Sequence, residues 1–166
     1  MERQQHARRR TGGHVRVLIV DPHPSFRSAI KALLETEGLA VVADLERCEG
    51  AEAAVTAHRP DVVLIDVSLH QTEGVDLARR LSALADPPAI VLISASPSDA
   101  ILASSAGADL FLAKAGISAQ AVAQVAREAT PMTQIERHQE KGLAYRGSCG
   151  VAVSLLRNPK TGDVSG

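Results

Sequence analysis

Short runs of apolar, mainly β-branched residues recur along the chain, and longer stretches with helical spacing separate them. Several of these runs are continuously apolar and do not alternate with polar residues. This pattern is typical of parallel strands that are covered on both faces. The five predicted strands span residues 15–20, 39–43, 61–67, 89–94 and 109–113.

The stretches between these runs predict amphipathic helices. In the first of them, Phe26, Ile30 and Leu34 recur at helical spacing, and Gly38 is suited to end the helix. Regular alternation of strand and helix predicts an α/β, doubly wound domain over residues 15–130, with a five-stranded parallel sheet and helices on both faces. The predicted helices span residues 24–37, 50–58, 73–84, 98–106 and 117–128.

The two ends of the chain lack this alternation. Residues 1–14 are polar and basic, and they predict a disordered arm. Residues 131–166 contain a single apolar stretch and are too few to build a core of their own. We therefore expect a mostly irregular tail there and no output domain.

The formal net charge of -1 is an average over three different regions. The arm carries a net charge of +3, the tail +2 and the predicted domain -6. Because the domain is acidic and aromatic residues make up 2% of the chain, we expect no direct DNA binding. No apolar run has the roughly 18 residues of a membrane span, and the two cysteines lie far apart. These observations predict a cytoplasmic protein with reduced thiols and no membrane contact.

Polar residues follow the predicted strands where their carboxyl ends meet at one edge of the sheet. Asp21, Asp66, Ser94 and Lys114 end or follow strands one, three, four and five, and ligands of doubly wound folds bind at this edge. Two carboxylates suit Mg²⁺, which prefers oxygen ligands, and a carboxylate can act as a nucleophile toward phosphorus. The hydroxyl and the ammonium can hold phosphoryl oxygens. Asp21 also has an alternative role as the cap of the following helix.

The order and spacing of these residues resemble the receiver domain of bacterial two-component response regulators. The resemblance covers roughly residues 15–126, through the stretches VRVLIVDPHPSFRSAIKALLE, RPDVVLIDVSLHQTEGVDLARRL and AIVLISAS…AGADLFLAKA. It implies the flavodoxin-like strand order 2-1-3-4-5 that chemotaxis regulators have. It also implies a phosphoacceptor, Asp66, a Mg²⁺ site formed by Asp21, Asp66 and the backbone carbonyl of Ser68, and three phosphoryl-binding or switch residues, Ser94, Lys114 and Phe111.

The chain departs from the family pattern mainly in the loop after strand one. The family usually has a second acidic residue after the first, and here that position is Pro22. Since the missing carboxylate is normally a metal ligand and the imidazole of His23 is a poor Mg²⁺ ligand, we expect Mg²⁺ binding to be weakened or lost. Beyond Asp66, His70 replaces the usual proline, and a Glu-Gly pair replaces the usual Asp-Gly.

Two functions remain open at this point, together with a less favoured third. In the first, a histidine kinase or phosphotransfer protein phosphorylates Asp66, and the helix 4–strand 5–helix 5 face then binds a partner or a second copy of the chain. In the second, a degenerate pseudo-receiver uses the same face without phosphorylation. Neither function makes the chain an enzyme in the usual sense. The third is an aspartate-nucleophile phosphohydrolase, which is disfavoured because Ser68 stands where such enzymes have a second aspartate.

Overall fold

The computed structural model describes residues 13–70 and 72–129, together with the backbone of two short segments, 144–146 and 152–154. Five parallel strands form one sheet in the order β2-β1-β3-β4-β5, as the resemblance implies. The strands are β1 (Arg16–Val20), β2 (Ala40–Leu45), β3 (Val62–Asp66), β4 (Ala89–Ser94) and β5 (Leu110–Ala113). The helices are α1 (Pro24–Thr36), α2 (Ala51–His58), α3 (Glu73–Ser82), α4 (Ala100–Ser104) and α5 (Ala119–Glu128).

The sheet separates two hydrophobic layers, because successive residues of a strand point to opposite faces. On one face, Val17 and Ile19 pack with α1 and α5. On the other face, Leu18 and Val20 pack with α2, α3 and α4. Both faces of the central strands are therefore covered, which explains why their sequences are continuously apolar. The predicted fold class is confirmed.

The observed helix and strand ends differ from the predicted ones by a few residues. Gly38 follows α1 with a φ of +87°, a conformation that favours glycine, and so ends the helix as predicted. The helix predicted over 98–106 is instead a 3₁₀ turn, Pro97–Asp99, followed by the short α4. The last helix begins two residues later than predicted because the Ser118 hydroxyl accepts a hydrogen bond from the Ala121 amide and caps α5.

Most of the predicted arm, 1–14, and most of the predicted tail, 131–166, lie outside the described residues. At the end of the arm, the imidazole Nδ1 of His14 lies 2.6 Å from the carbonyl oxygen of Gly38, within hydrogen-bonding distance. In the tail, β6 (Ala144–Arg146) and β7 (Ala152–Ser154) form a two-stranded antiparallel ribbon. Among the described residues, no helix is long and apolar enough to cross a membrane.

Candidate functional site: an acidic pocket with one lysine

The carboxyl ends of β1, β3 and β5 bring together the charged side chains that the sequence analysis selected. Asp21 directly follows β1, Asp66 is the last residue of β3, and Lys114 directly follows β5. Both aspartate side chains are fully buried, and the lysine side chain is 15% exposed. A buried carboxylate is costly unless it is paired, so this part of the fold depends on its internal cation.

Lys114 is that cation. Its Nζ lies 2.6 Å from Asp21 Oδ2 and donates a hydrogen bond of 2.8 Å to Asp66 Oδ2. The contact with Asp21 is close enough for an ion pair but is not aligned as a hydrogen bond. Asp21 Oδ2 is therefore buried without accepting a hydrogen bond. One ammonium thus serves two carboxylates, and the three side chains together keep a formal charge of -1.

Two opposing effects act on the pKa of Asp66. Burial is the largest effect and by itself raises the pKa, because it disfavours the charged form. Hydrogen bonds from Lys114 and Ser68 act in the opposite direction and together outweigh burial, so the pKa lies below its ordinary value of 3.8. The backbone amide of Ser68 donates one of these bonds to Asp66 Oδ1, at 2.9 Å. Asp66 is therefore a carboxylate at neutral pH, as a nucleophile must be.

The loop between β1 and α1 holds Asp21 in place. The backbone amide of His23 donates to Asp21 Oδ1 at 2.7 Å, and the His23 Nδ1 lies 3.1 Å from the same oxygen. Arg27 donates to the Asp21 backbone carbonyl at 2.6 Å and pairs with Asp44 at 3.2 Å. The cap residue of α1 is His23, and it makes no side-chain cap bond. The alternative interpretation of Asp21 as a helix cap is wrong, since its carboxylate faces the pocket and the loop.

Ser94 ends β4, and its hydroxyl already has a partner. It donates a 2.6 Å hydrogen bond to Asp99 Oδ2 and accepts one from the Ser96 backbone amide at 3.0 Å. The sequence analysis missed Asp99, because the contact depends on the 3₁₀ turn that brings this residue back toward the end of β4. Phe111, the other predicted switch residue, is 7% exposed and lies in the core layer shared with α2, α3 and α4.

Two further residues shape the pocket and were not recognised from the sequence as site residues. The Lys114 Nζ lies 4.3 Å from the centre of the Phe26 ring, a cation–π contact that holds the ammonium from the side of α1. Gly74, in the first turn of α3, packs against the backbone of Asp66 so closely that a Cβ there would overlap the Asp66 carbonyl oxygen. Gly74, the glycine of the Glu-Gly pair that replaces the family's usual Asp-Gly, therefore has a steric role.

The pocket contains a set of donor atoms suited to a divalent cation. Asp21, His23 and Asp66 each offer one ligand atom, and these atoms all lie within 4.8 Å of one another. The buried, unbonded Oδ2 of Asp21 fits such a use. Pro22 contributes no donor atom from its side chain, so the carboxylates fit Mg²⁺ but supply one oxygen ligand fewer than an acidic pair would. The backbone carbonyl of Ser68 remains a predicted ligand.

This fold, with paired acids and a lysine at the carboxyl edge of its sheet, defines a receiver domain. The response regulator receiver domain family matches residues 17–126, and the chain belongs to that family. Such domains are signalling domains of two-component systems that generally bind Mg²⁺ in an acidic pocket and interact with histidine kinases or phosphotransfer proteins.

Individual relatives agree with this assignment. A candidate transcriptional regulator from Pseudomonas aeruginosa is 34% identical over 86 residues, which cover 50% of this chain and 41% of that protein. The signal receiver domain of NarL from Mycobacterium tuberculosis is 28% identical, with a TM-score of 0.59 over 71% of this chain and 97% of that domain. A CheY-like receiver domain from Methanospirillum hungatei, 22% identical over 71% of this chain and 94% of that one, shares the fold with a TM-score of 0.58. The match covers less than half the length of the curated relatives, between 21% and 41% of three of them.

Proposed function

We propose that Asp66 accepts a phosphoryl group from the phosphohistidine of a histidine kinase or phosphotransfer protein. The observation that carries this proposal is the contact of one ammonium, that of Lys114, with both buried carboxylates. An Asp66 oxygen attacks phosphorus, the bond from phosphorus to the donor imidazole breaks, and an acyl phosphate forms on Asp66. Lys114 then neutralises charge on the phosphoryl oxygens. Asp21, Asp66 and the Ser68 carbonyl would hold a divalent cation, which would supply further positive charge there.

Phosphorylation of Asp66 changes the rest of the domain through Ser94 and Phe111. A phosphoryl group adds a charge of about -2 and acceptor oxygens that attract the Ser94 hydroxyl. To reach them, Ser94 must exchange its 2.6 Å bond to Asp99, and the loop after β4 moves with it. The helix 4–strand 5–helix 5 face changes as a result. Ile101 and Leu102 on α4 are exposed apolar side chains on this face and suit a protein partner or a second copy of the chain.

The test is phosphorylation of the purified full chain by acetyl phosphate, followed by intact mass measurement. We expect one added phosphoryl group on the wild type and none on Asp66→Asn. The control is Asp61→Asn, which removes a carboxylate at the amino edge of the sheet, where Asp61 accepts a hydrogen bond from the Arg16 amide. Equal labelling of Asp66→Asn and the wild type would overturn the acceptor assignment.

Pro22 favours a second candidate function, that of a pseudo-receiver which binds partners without phosphorylation. The position carries no carboxylate, and in the described part of the chain a single ammonium, that of Lys114, balances the two buried acids. In this case beryllofluoride with Mg²⁺ leaves the amide NMR spectrum unchanged, whereas a phosphoacceptor shows shifts around Asp66, Ser94 and Phe111. For both functions we propose a cytoplasmic, non-enzymatic protein that does not itself bind DNA.

A further inference from the structure

We propose that His23 makes this pocket a site for a first-row transition-metal dication that favours imidazole, such as Zn²⁺, in preference to Mg²⁺. The inference rests on the proposed cation site but not on phosphoryl transfer. Its starting point is the donor set itself, which joins two carboxylates to one imidazole. Mg²⁺ prefers an octahedral set of oxygens, whereas imidazole is a good ligand for Zn²⁺ and the other late first-row dications.

The geometry of the three side chains suits a single small ion. His23 Nδ1 lies 3.1 Å from Asp21 Oδ1 and 3.8 Å from Asp66 Oδ2. Two ligands that bind one ion at about 2.0–2.1 Å stand roughly 3–3.4 Å apart in octahedral or tetrahedral geometry. One of these distances already fits this range. The other closes by a few tenths of an ångström through rotation of the His23 ring, whose side chain is 61% exposed.

The electrostatics of the pocket also favour an added cation. Asp21 and Asp66 are fully buried, and among the described residues Lys114 is the one lysine or arginine that pairs with them, so these three side chains keep a formal charge of -1. Arg27 does not compensate this charge, because its guanidinium pairs with Asp44 and with a backbone carbonyl. Asp21 Oδ2 is buried, accepts no hydrogen bond and has its ion-pair contact with Lys114 at 2.6 Å, so this carboxylate keeps lone pairs that a cation can use.

The sequence change in the β1–α1 loop thus has two parts. Pro22 removes an oxygen ligand and holds its own φ near -65°. His23, the next residue, places a nitrogen ligand beside the same carboxylates. Two carboxylates and one imidazole resemble the mixed oxygen–nitrogen sets that hold catalytic zinc with three protein ligands and an open position. An ion held by these three residues would neutralise Asp66 and would keep an open position for a further ligand.

The experiment is calorimetric titration of Mg²⁺, Mn²⁺ and Zn²⁺ into the full chain and two variants. In the wild type we expect Zn²⁺ to bind at least about tenfold more tightly than Mg²⁺, and Mn²⁺, which prefers oxygen ligands, to lie closer to Mg²⁺. His23→Asn should weaken Zn²⁺ binding about tenfold or more and change Mg²⁺ binding less than about threefold. The matched control is His58→Asn, since His58 ends α2 at the opposite edge of the sheet, where its carbonyl accepts hydrogen bonds from Arg16.

A site-specific readout excludes zinc bound elsewhere on the chain. Zn²⁺ is diamagnetic, so the imidazole ¹⁵N signals of His23 can be followed during the titration, and we expect them to shift with the calorimetric stoichiometry. Unshifted His23 ring signals, or an unchanged ratio of Zn²⁺ to Mg²⁺ affinity in His23→Asn, would overturn the inference. Labelling of Asp66 by acetyl phosphate with Mg²⁺ is measured in parallel. Normal labelling with unaltered metal preference rejects the inference alone, whereas lost labelling with His23-dependent zinc binding rejects the phosphoacceptor function alone.

Discussion

The two sides of the pocket differ in how closely they follow the family pattern. On the β3–β5 side, Asp66 and Lys114 form a 2.8 Å hydrogen bond, as expected for a phosphoacceptor and its lysine. On the β1–α1 side, the second acid is replaced by Pro22, and His23 lies against Asp21 instead. Asp66 takes part both in the pair with Lys114 and in the candidate cation site, whereas Pro22 and His23 bear on the cation site alone. We therefore expect changes in the β1–α1 loop to alter the preference for a metal ion while the Asp66–Lys114 pair is kept.

The largest effect on stability is expected when the Lys114 ammonium is removed from the β3–β5 side of the pocket. Lys114→Met leaves two buried carboxylates without their cation, and we expect the free energy of unfolding to fall by about 3–5 kcal/mol. The measurement is urea denaturation followed by far-UV circular dichroism, because the chain has no tryptophan. Lys31→Met, which changes the other lysine of the described residues, should cost far less. Adding Asp21→Asn to Lys114→Met should restore part of the loss; no restoration would mean that Lys114 acts through packing alone.

The pH dependence of stability tests the same pair without removing the lysine. The folded-state pKa of Asp66 lies below its ordinary value of 3.8, so the unfolded chain takes up this proton first as the pH falls. The stability that Asp66 contributes is therefore complete well above pH 4 and is lost as the pH falls through the folded-state pKa. Asp66→Asn should flatten the stability profile in this acid range and leave the neutral range level. Parallel profiles for the two proteins would contradict the assignment.

These contacts also show how far the sequence alone leads. Both buried acids and the lysine follow from apolar runs that end in charged residues, because the parallel topology brings those ends together. The strand order follows from the family resemblance and not from the runs themselves. The Asp99 and Phe26 contacts do not follow, since one depends on a 3₁₀ turn and the other on the angle at which α1 crosses the sheet. The His23 contact depends on a loop that begins with a proline, and no periodicity describes such a loop.

A carboxylate placed back in the β1–α1 loop tests whether Pro22 weakens Mg²⁺ binding. Pro22→Asp returns a carboxylate to the β1–α1 loop, and we expect Mg²⁺ affinity to rise about tenfold, which corresponds to about 1.4 kcal/mol. Calorimetric titration measures it. Pro22→Asn is the control, because it supplies a neutral oxygen and the same backbone freedom. If both variants bind Mg²⁺ equally, the gain comes from the loop backbone and not from the added charge.

The smallest expected effect concerns the Ser94 hydroxyl at the end of β4. Asp99→Ala removes the acceptor of the 2.6 Å bond from Ser94 and leaves the hydroxyl free to turn toward a group on Asp66. A net hydrogen-bond contribution of about 1 kcal/mol corresponds to about fivefold tighter beryllofluoride binding, measured from amide NMR shifts. Asp86→Ala, a change at an exposed acid before β4, is the control. Unchanged or weaker binding in Asp99→Ala would show that Asp99 does not restrain Ser94.

The close packing of Gly74 on the Asp66 backbone has a mechanical consequence. Since a Cβ at Gly74 would overlap the Asp66 carbonyl oxygen, we expect the start of α3 and the acceptor strand to move together. The other flank of the acceptor differs, because α4 is only five residues long and its Ile101 is 78% exposed. We therefore expect a change at Asp66 to displace the α4 flank more than the α3 flank.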